Sequence, residues 1–383
     1  MKKKTMICFL CALLGASAFT GCGNAAQPAE TAKSEAAAEA EEEAAEQQEE
    51  GSEALQEEAD EAAAEMAEEA EEKSEEVQEM VEEAAEAEAD AQEEAAEEDE
   101  ENYETGDASL DDPLNQDEIG EKELLVVSFG TSFNDNRRET IGAIEKSIAE
   151  GIPEYSVRRG FTAQIIIDHV MKRDNVKIDN VGEALDRAVE NEVKTLVIQP
   201  THLMNGLEYN DLKEEVATYA DAFEQIAVGE PLLTSDDDFA RVADAIVEAT
   251  AQFDDGETAI VFMGHGTEAE SNAVYEKMQG VLSDAGHEHY YVGTVEAAPT
   301  LEDVLAKVGE GEYKKVVLRP LMVVAGDHAN NDMADPEDPE SWYSQFTAAG
   351  YEVSCVLEGL GQLPAIRELY VEHAQAAVDS LNG

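Results

Sequence analysis

Two histidines and a glutamate in the second half of the chain have the chemistry of a metal site. His265 lies in Met263-Gly264-His265-Gly266-Thr267, Glu296 in Gly293-Thr294-Val295-Glu296, and His328 in Gly326-Asp327-His328-Ala329. Imidazole and carboxylate without thiolate suit Co2+, Ni2+, Fe2+ or Zn2+. Three protein ligands leave coordination positions open, which a site needs if it is to react its metal or hand it on. None of the three sits at the short local spacing of a helical metal motif, so only the fold can bring them together. Each follows a stretch that reads as a strand or its exit, and convergence beyond strand ends is the expectation. Glycines on both sides of His265 let the backbone turn tightly and leave the imidazole free to enter a cleft.

The elements that must position these groups begin at Lys122. Apolar runs at 124–129, 156–161, 195–199 and 225–228 read as strands, and a second set follows at 259–263, 290–293, 315–319 and 352–356. Helical patterns lie near 135–150, 163–172, 181–191 and 211–222, then near 237–251, 270–285, 301–308, 342–348 and 365–381. This alternation implies an α/β fold with parallel sheets flanked by helices. The two halves look related. Phe129-Gly130-Thr131 aligns with His265-Gly266-Thr267, and Gln199-Pro200 with Arg319-Pro320. Two similar lobes are therefore expected, at about 121–235 and 236–383, with a cleft between them. The first lobe has Phe129 where the second has His265, so metal chemistry is assigned to the second.

Several longer motifs point the same way. Leu125-Val126-Val127-Ser128-Phe129-Gly130-Thr131-Ser132, Gln199-Pro200-Thr201-His202, Met263-Gly264-His265-Gly266-Thr267-Glu268, Val292-Gly293-Thr294-Val295-Glu296 and Ala325-Gly326-Asp327-His328-Ala329-Asn330-Asn331-Asp332-Met333 together resemble the CbiK-type cobalt chelatases of anaerobic cobalamin synthesis. The resemblance covers residues 122–380 and none of the chain before them. It implies a chelatase-like fold and insertion of Co2+ into the tetrapyrrole sirohydrochlorin, with Ni2+ or Fe2+ as other candidate metals. It places the metal ligands on His265, Glu296 and His328. His265 is then the principal base as well as a ligand, and Glu296 a ligand and proton acceptor. No nucleotide-binding motif is present, so insertion without ATP and with no cofactor beyond the metal is expected. His202 is expected to face the macrocycle. Arg137 and Arg138 are candidate partners for its carboxylates, with Arg158 and Arg159 as further cations. The alternative function is an exported carrier of metal, haem or another tetrapyrrole that uses the same cleft without turnover.

The rest of the chain sets location and charge. Met1-Lys2-Lys3-Lys4, an apolar run at 6–14 and Phe19-Thr20-Gly21-Cys22 resemble a bacterial lipoprotein signal, with residues 1–21 removed and Cys22 lipidated. A membrane partner through the lipid anchor, and an exported location, follow as expectations. Residues 22–120 are mostly an Ala/Glu tract, read as an acidic spacer. Net charge over the 383 residues is −66. Residues 121–383 still carry 50 acidic against 19 basic side chains, which argues against nucleic acid as a partner. Cys355 is the one cysteine after residue 22, so no internal disulfide framework is expected. Whether the chain forms a homo-oligomer is left open by the sequence.

Overall fold

The computed structural model describes residues 105–382. The lipoprotein signal, Cys22 and most of the acidic tract lie outside the described residues. The first sheet holds β1 (Lys122–Ser128), β2 (Ser156–Phe161), β3 (Thr195–Pro200) and β4 (Gln225–Val228), in the order β2-β1-β3-β4 and all parallel. The second holds β5 (Thr258–Gly264), β6 (Tyr290–Thr294), β7 (Lys315–Pro320) and β8 (Glu352–Cys355), in the order β6-β5-β7-β8, again all parallel. Central strands are buried on both faces. Leu124 to Val127 and Ala259 to Met263 are each fully enclosed, which is why they read as unbroken apolar runs rather than alternating ones.

The repeat is visible in the register. Val127 pairs with Pro200 in the first sheet and Met263 with Pro320 in the second. Phe129 and His265 each stand two residues beyond those pairs, so they occupy matching places at the ends of β1 and β5. His202 and Met322 match in the same way beyond β3 and β7.

Helices cover the sheets: α1 (Asn134–Glu139), α2 (Ile141–Gly151), α3 (Gln164–Asp174), α4 (Val181–Glu190), α5 (Leu207–Ala217) and α6 (Asp236–Thr250), then α7 (Ala273–Asp284), α8 (Leu301–Val308), α9 (Trp342–Ala348) and α10 (Pro364–Ser380). Capping boxes start three of them: Asn180 with Glu183, Ser235 with Asp238, and Thr300 with Asp303. The single helix expected near 135–150 is two. The break falls at Thr140, whose hydroxyl donates to the Asn136 carbonyl at 2.6 Å and diverts the backbone there. The helix expected near 211 starts four residues earlier, directly after Gly206.

Two findings redraw the lobes. First, α10 returns to the first lobe and packs on α2 and β3. Tyr370 Oη donates to the Thr201 carbonyl at 2.7 Å, and Gln225 Nε2 donates to the Leu381 carbonyl at 2.8 Å. Residues 236–383 are therefore not a self-contained lobe. Second, the folded body reaches upstream of residue 121. The Asp135 amide donates to the Thr105 carbonyl at 2.9 Å, the Arg159 amide to the Leu114 carbonyl at 3.1 Å, and Arg187 pairs with Asp117 at 2.9 Å. Residues 105–120 form a strap along the first lobe.

Candidate metal centre and cleft

β5 ends at a turn that only glycine fits. A Cβ on Gly264 would stand 2.1 Å from the Tyr275 ring, and Gly266 has φ +95°. The turn lifts the His265 side chain half out of the protein. Its Nδ1 lies 2.8 Å from the Gly266 carbonyl oxygen, which can only accept. Nδ1 therefore carries the proton and Nε2 keeps the free lone pair. The exit of β6 docks on the same turn, with the Glu296 amide donating to the His265 carbonyl at 2.9 Å. That bond brings the Glu296 carboxylate to 3.5 Å from His265 Nδ1.

His328 enters from the loop after β7, at the head of a π-helical turn over Ala329–Met333. Its ring meets that of His265 edge to face, with centroids 4.7 Å apart. One ligand atom from each of His265, Glu296 and His328 lies within 4.8 Å of the others. That spacing lets one divalent cation reach all three after small side-chain adjustments. Nitrogen and oxygen donors with open positions suit a metal that must leave again.

The centre opens onto a cavity of about 300 Å³ between the lobes. Phe129, His202 and Leu207 contribute from the first lobe, and His265, Met322 and His328 from the second. The cavity is mainly apolar, and among the described residues neither lysine nor arginine lines it. Phe129 and Leu207 are exposed large apolar side chains at its rim, suited to one face of a flat hydrophobic ligand.

Residues 122–379 match the family model for cobalt chelatase, CbiK. The chain belongs to the CbiK cobalt chelatase family. It is 36% identical over 258 residues to a sirohydrochlorin cobaltochelatase of Salmonella typhimurium, covering 67% of this chain and 97% of that one. It is 32% identical over 263 residues to the sirohydrochlorin cobaltochelatase CbiKC of Nitratidesulfovibrio vulgaris, covering 68% and 92%. Among solved structures, SirB from Bacillus subtilis with Fe3+ superposes with a TM-score of 0.51 at 12% identity, over 68% of this chain and 97% of that one. This likeness speaks to the fold.

The arginines that the sequence suggested lie away from the cavity of this CbiK-family chain. Arg137 is wholly buried. Its Nε donates to Asp111 at 2.6 Å, Nη1 to the Thr131 carbonyl at 3.1 Å and Nη2 to Asn134 at 2.5 Å. Arg138 is engaged by Asp135 at 2.6 Å and Glu139 at 3.0 Å. Neither lines the cavity, so the expected contact with substrate carboxylates is corrected for both. Arg158 and Arg159 are likewise buried, paired with Glu123 at 2.9 Å and with Glu145 and Asp111 at 2.7 Å each.

Asp332 is a partner of the candidate ligand His328 that sequence reasoning missed. Its Oδ2 accepts from His328 Nδ1 at 2.8 Å, which orients the ring and leaves Nε2 free to ligate. The only sequence signal was the spacing of four from His328. Burial works to lower the His328 pKa, but the Asp332 hydrogen bond and charge, with Glu296 and Asp327, outweigh it and raise it. Asp332→Ala is expected to weaken Co2+ binding by about 10- to 100-fold, read by metal titration. An unchanged affinity would show that His328 needs no orienting partner.

Proposed function

We infer that this chain is an ATP-independent metal chelatase that inserts Co2+ into sirohydrochlorin. The observation that carries this reading is the three-ligand site of His265, Glu296 and His328, opening into an apolar cleft, in a CbiK-family chain whose curated relatives are named for that reaction. Metal and macrocycle are both substrates. The cleft would hold the flat ring while the second lobe presents the metal, and bonds to the four ring nitrogens supply the driving force. No cofactor beyond the metal is needed for this step. The chain would work outside the cytoplasmic membrane, held by a lipidated Cys22 with the acidic tract as spacer.

The test is metallation by the full chain, followed by the absorbance of the macrocycle, with Co2+, Ni2+ and Fe2+ compared. A Co2+ rate well above the uncatalysed background is expected. Tight tetrapyrrole binding with no added rate would overturn the reading in favour of a carrier.

Charge gives a further prediction. Sirohydrochlorin carries several carboxylates, the domain is acidic, and no lysine or arginine among the described residues lines the cleft. Raising ionic strength from 0.01 to 0.1 M shortens the Debye length from about 30 Å to about 10 Å. This screens repulsion of the macrocycle and attraction of the metal alike. At saturating Co2+, kcat/KM for the macrocycle should therefore rise with salt, while Co2+ affinity falls. A fall in macrocycle kcat/KM would reveal a cationic recognition site elsewhere on the rim.

A further inference from the structure

Asn272 stands where a helix cap is expected, and it does not cap. It is the residue before α7, and an asparagine at that place normally accepts from the first amides of the helix. Its side chain makes no such bond here. Both ends of its amide are instead spent on the loops that carry two of the candidate ligands. Oδ1 accepts from the Thr267 amide at 3.1 Å, two residues from His265, and Nδ2 donates to the Ala298 carbonyl at 2.6 Å, two residues from Glu296. The Thr267 amide can only donate and the Ala298 carbonyl can only accept, so the Asn272 amide has one orientation.

The first of these bonds acts on His265. The Thr267 N–H and the Gly266 C=O belong to one peptide unit, and in a trans peptide they point in opposite directions. Asn272 holds the N–H, and on the far side the carbonyl accepts from His265 Nδ1 at 2.8 Å. Gly266 precedes this unit at φ +95°. Glycine has little preference among backbone wells, so the peptide needs an outside partner to keep its carbonyl on the imidazole. His328 has the Asp332 carboxylate to orient it, whereas the hydrogen bond of the His265 ring goes to this carbonyl. The second bond reaches the turn of Glu296, whose amide already donates to the His265 carbonyl at 2.9 Å. We propose that Asn272 is a positioning residue for the metal site. It aims the Gly266 carbonyl at His265 and ties that turn to the turn of Glu296, so that these two ligands are held as one unit. The proposal rests on the ligand assignment of the chelatase reading.

The test is Co2+ titration of the full chain with Asn272→Ala, alone and combined with His265→Ala. Alone, Asn272→Ala is expected to weaken Co2+ binding by about 10-fold and to shift the visible absorption of the bound ion. Macrocycle affinity and melting temperature should not change. In the His265→Ala chain most of that loss should vanish, because the ring being positioned is gone. Asn272→Asp keeps an acceptor for the Thr267 amide and loses the donor to Ala298, so it should bind Co2+ more tightly than Asn272→Ala. Wild-type Co2+ affinity in Asn272→Ala overturns the proposal. So does a loss of the same size in both backgrounds, or an Asn272→Asp chain as weak as Asn272→Ala. So does a matching fall in macrocycle affinity or melting temperature, since that marks a packing role. Unchanged Co2+ affinity in His265→Ala alone would instead overturn the ligand assignment itself, which keeps the two failures apart.

Discussion

His265→Ala is expected to lower kcat/KM for metallation by about 10³-fold, combining a lost ligand with a lost base. The side chain is half exposed, and its one close hydrogen bond is to the carbonyl of the next residue. Removing it should therefore leave the fold intact. The bond that holds the β6 exit in place comes from the His265 backbone carbonyl, which alanine retains. Glu296 and His328 then remain as a two-ligand remnant. Co2+ titration should show weaker binding, the macrocycle should still bind, and melting should be unchanged. A variant with normal Co2+ affinity would place the metal elsewhere in the cleft.

The second large effect concerns stability. Arg159→Ala is expected to destabilise the folded body by about 3–5 kcal/mol, the usual consequence of removing one partner from a buried charge cluster. Arg159 is 1% exposed and lies between Glu145 and Asp111, with paired contacts to both. Without it, two buried carboxylates are left with Arg137, which pairs with Asp111 and not with Glu145. Thermal unfolding should report a fall in Tm of about 10 °C. A loss below about 1 kcal/mol would mean that water reaches the cluster. Acid should act through the same cluster. Burial raises the Asp111 pKa, but Arg159 and Arg137 outweigh it, so the net shift is downward. Its contribution is complete above the unfolded carboxylate pKa and is lost as pH falls through the lower folded value.

The sequence made the strands and the candidate site of His265, Glu296 and His328 legible for one reason. Both depend on local signals: apolar runs closed by glycine, and rare residue types at strand exits. The span of α8 matched its expected limits, because Thr300 and Asp303 form its cap within four residues. What was hidden depends on contacts far apart in the chain. Arg159 and Asp111 are 48 residues apart and Tyr370 and Thr201 are 169 apart, and no local pattern announces either pair. The arginines of β2 misled for this reason. A cation beside a strand reads as solvent-facing until a buried carboxylate is found for it. Asp332 was hidden because a spacing of four brings it to His328 only where the chain is helical, and no helix was expected over that stretch.

The return of α10 to the first lobe has a consequence for how the cleft is held. The first sheet is complete in sequence by Val228, yet part of its cover comes from residues 364–380, far along the chain. Without that helix β3 and α2 lose part of their apolar cover, and the Thr201 carbonyl beside His202 loses its Tyr370 donor. A chain clipped before this helix would keep His265, Glu296 and His328 yet lose the Tyr370 bond that holds the Thr201 stretch of the cleft wall.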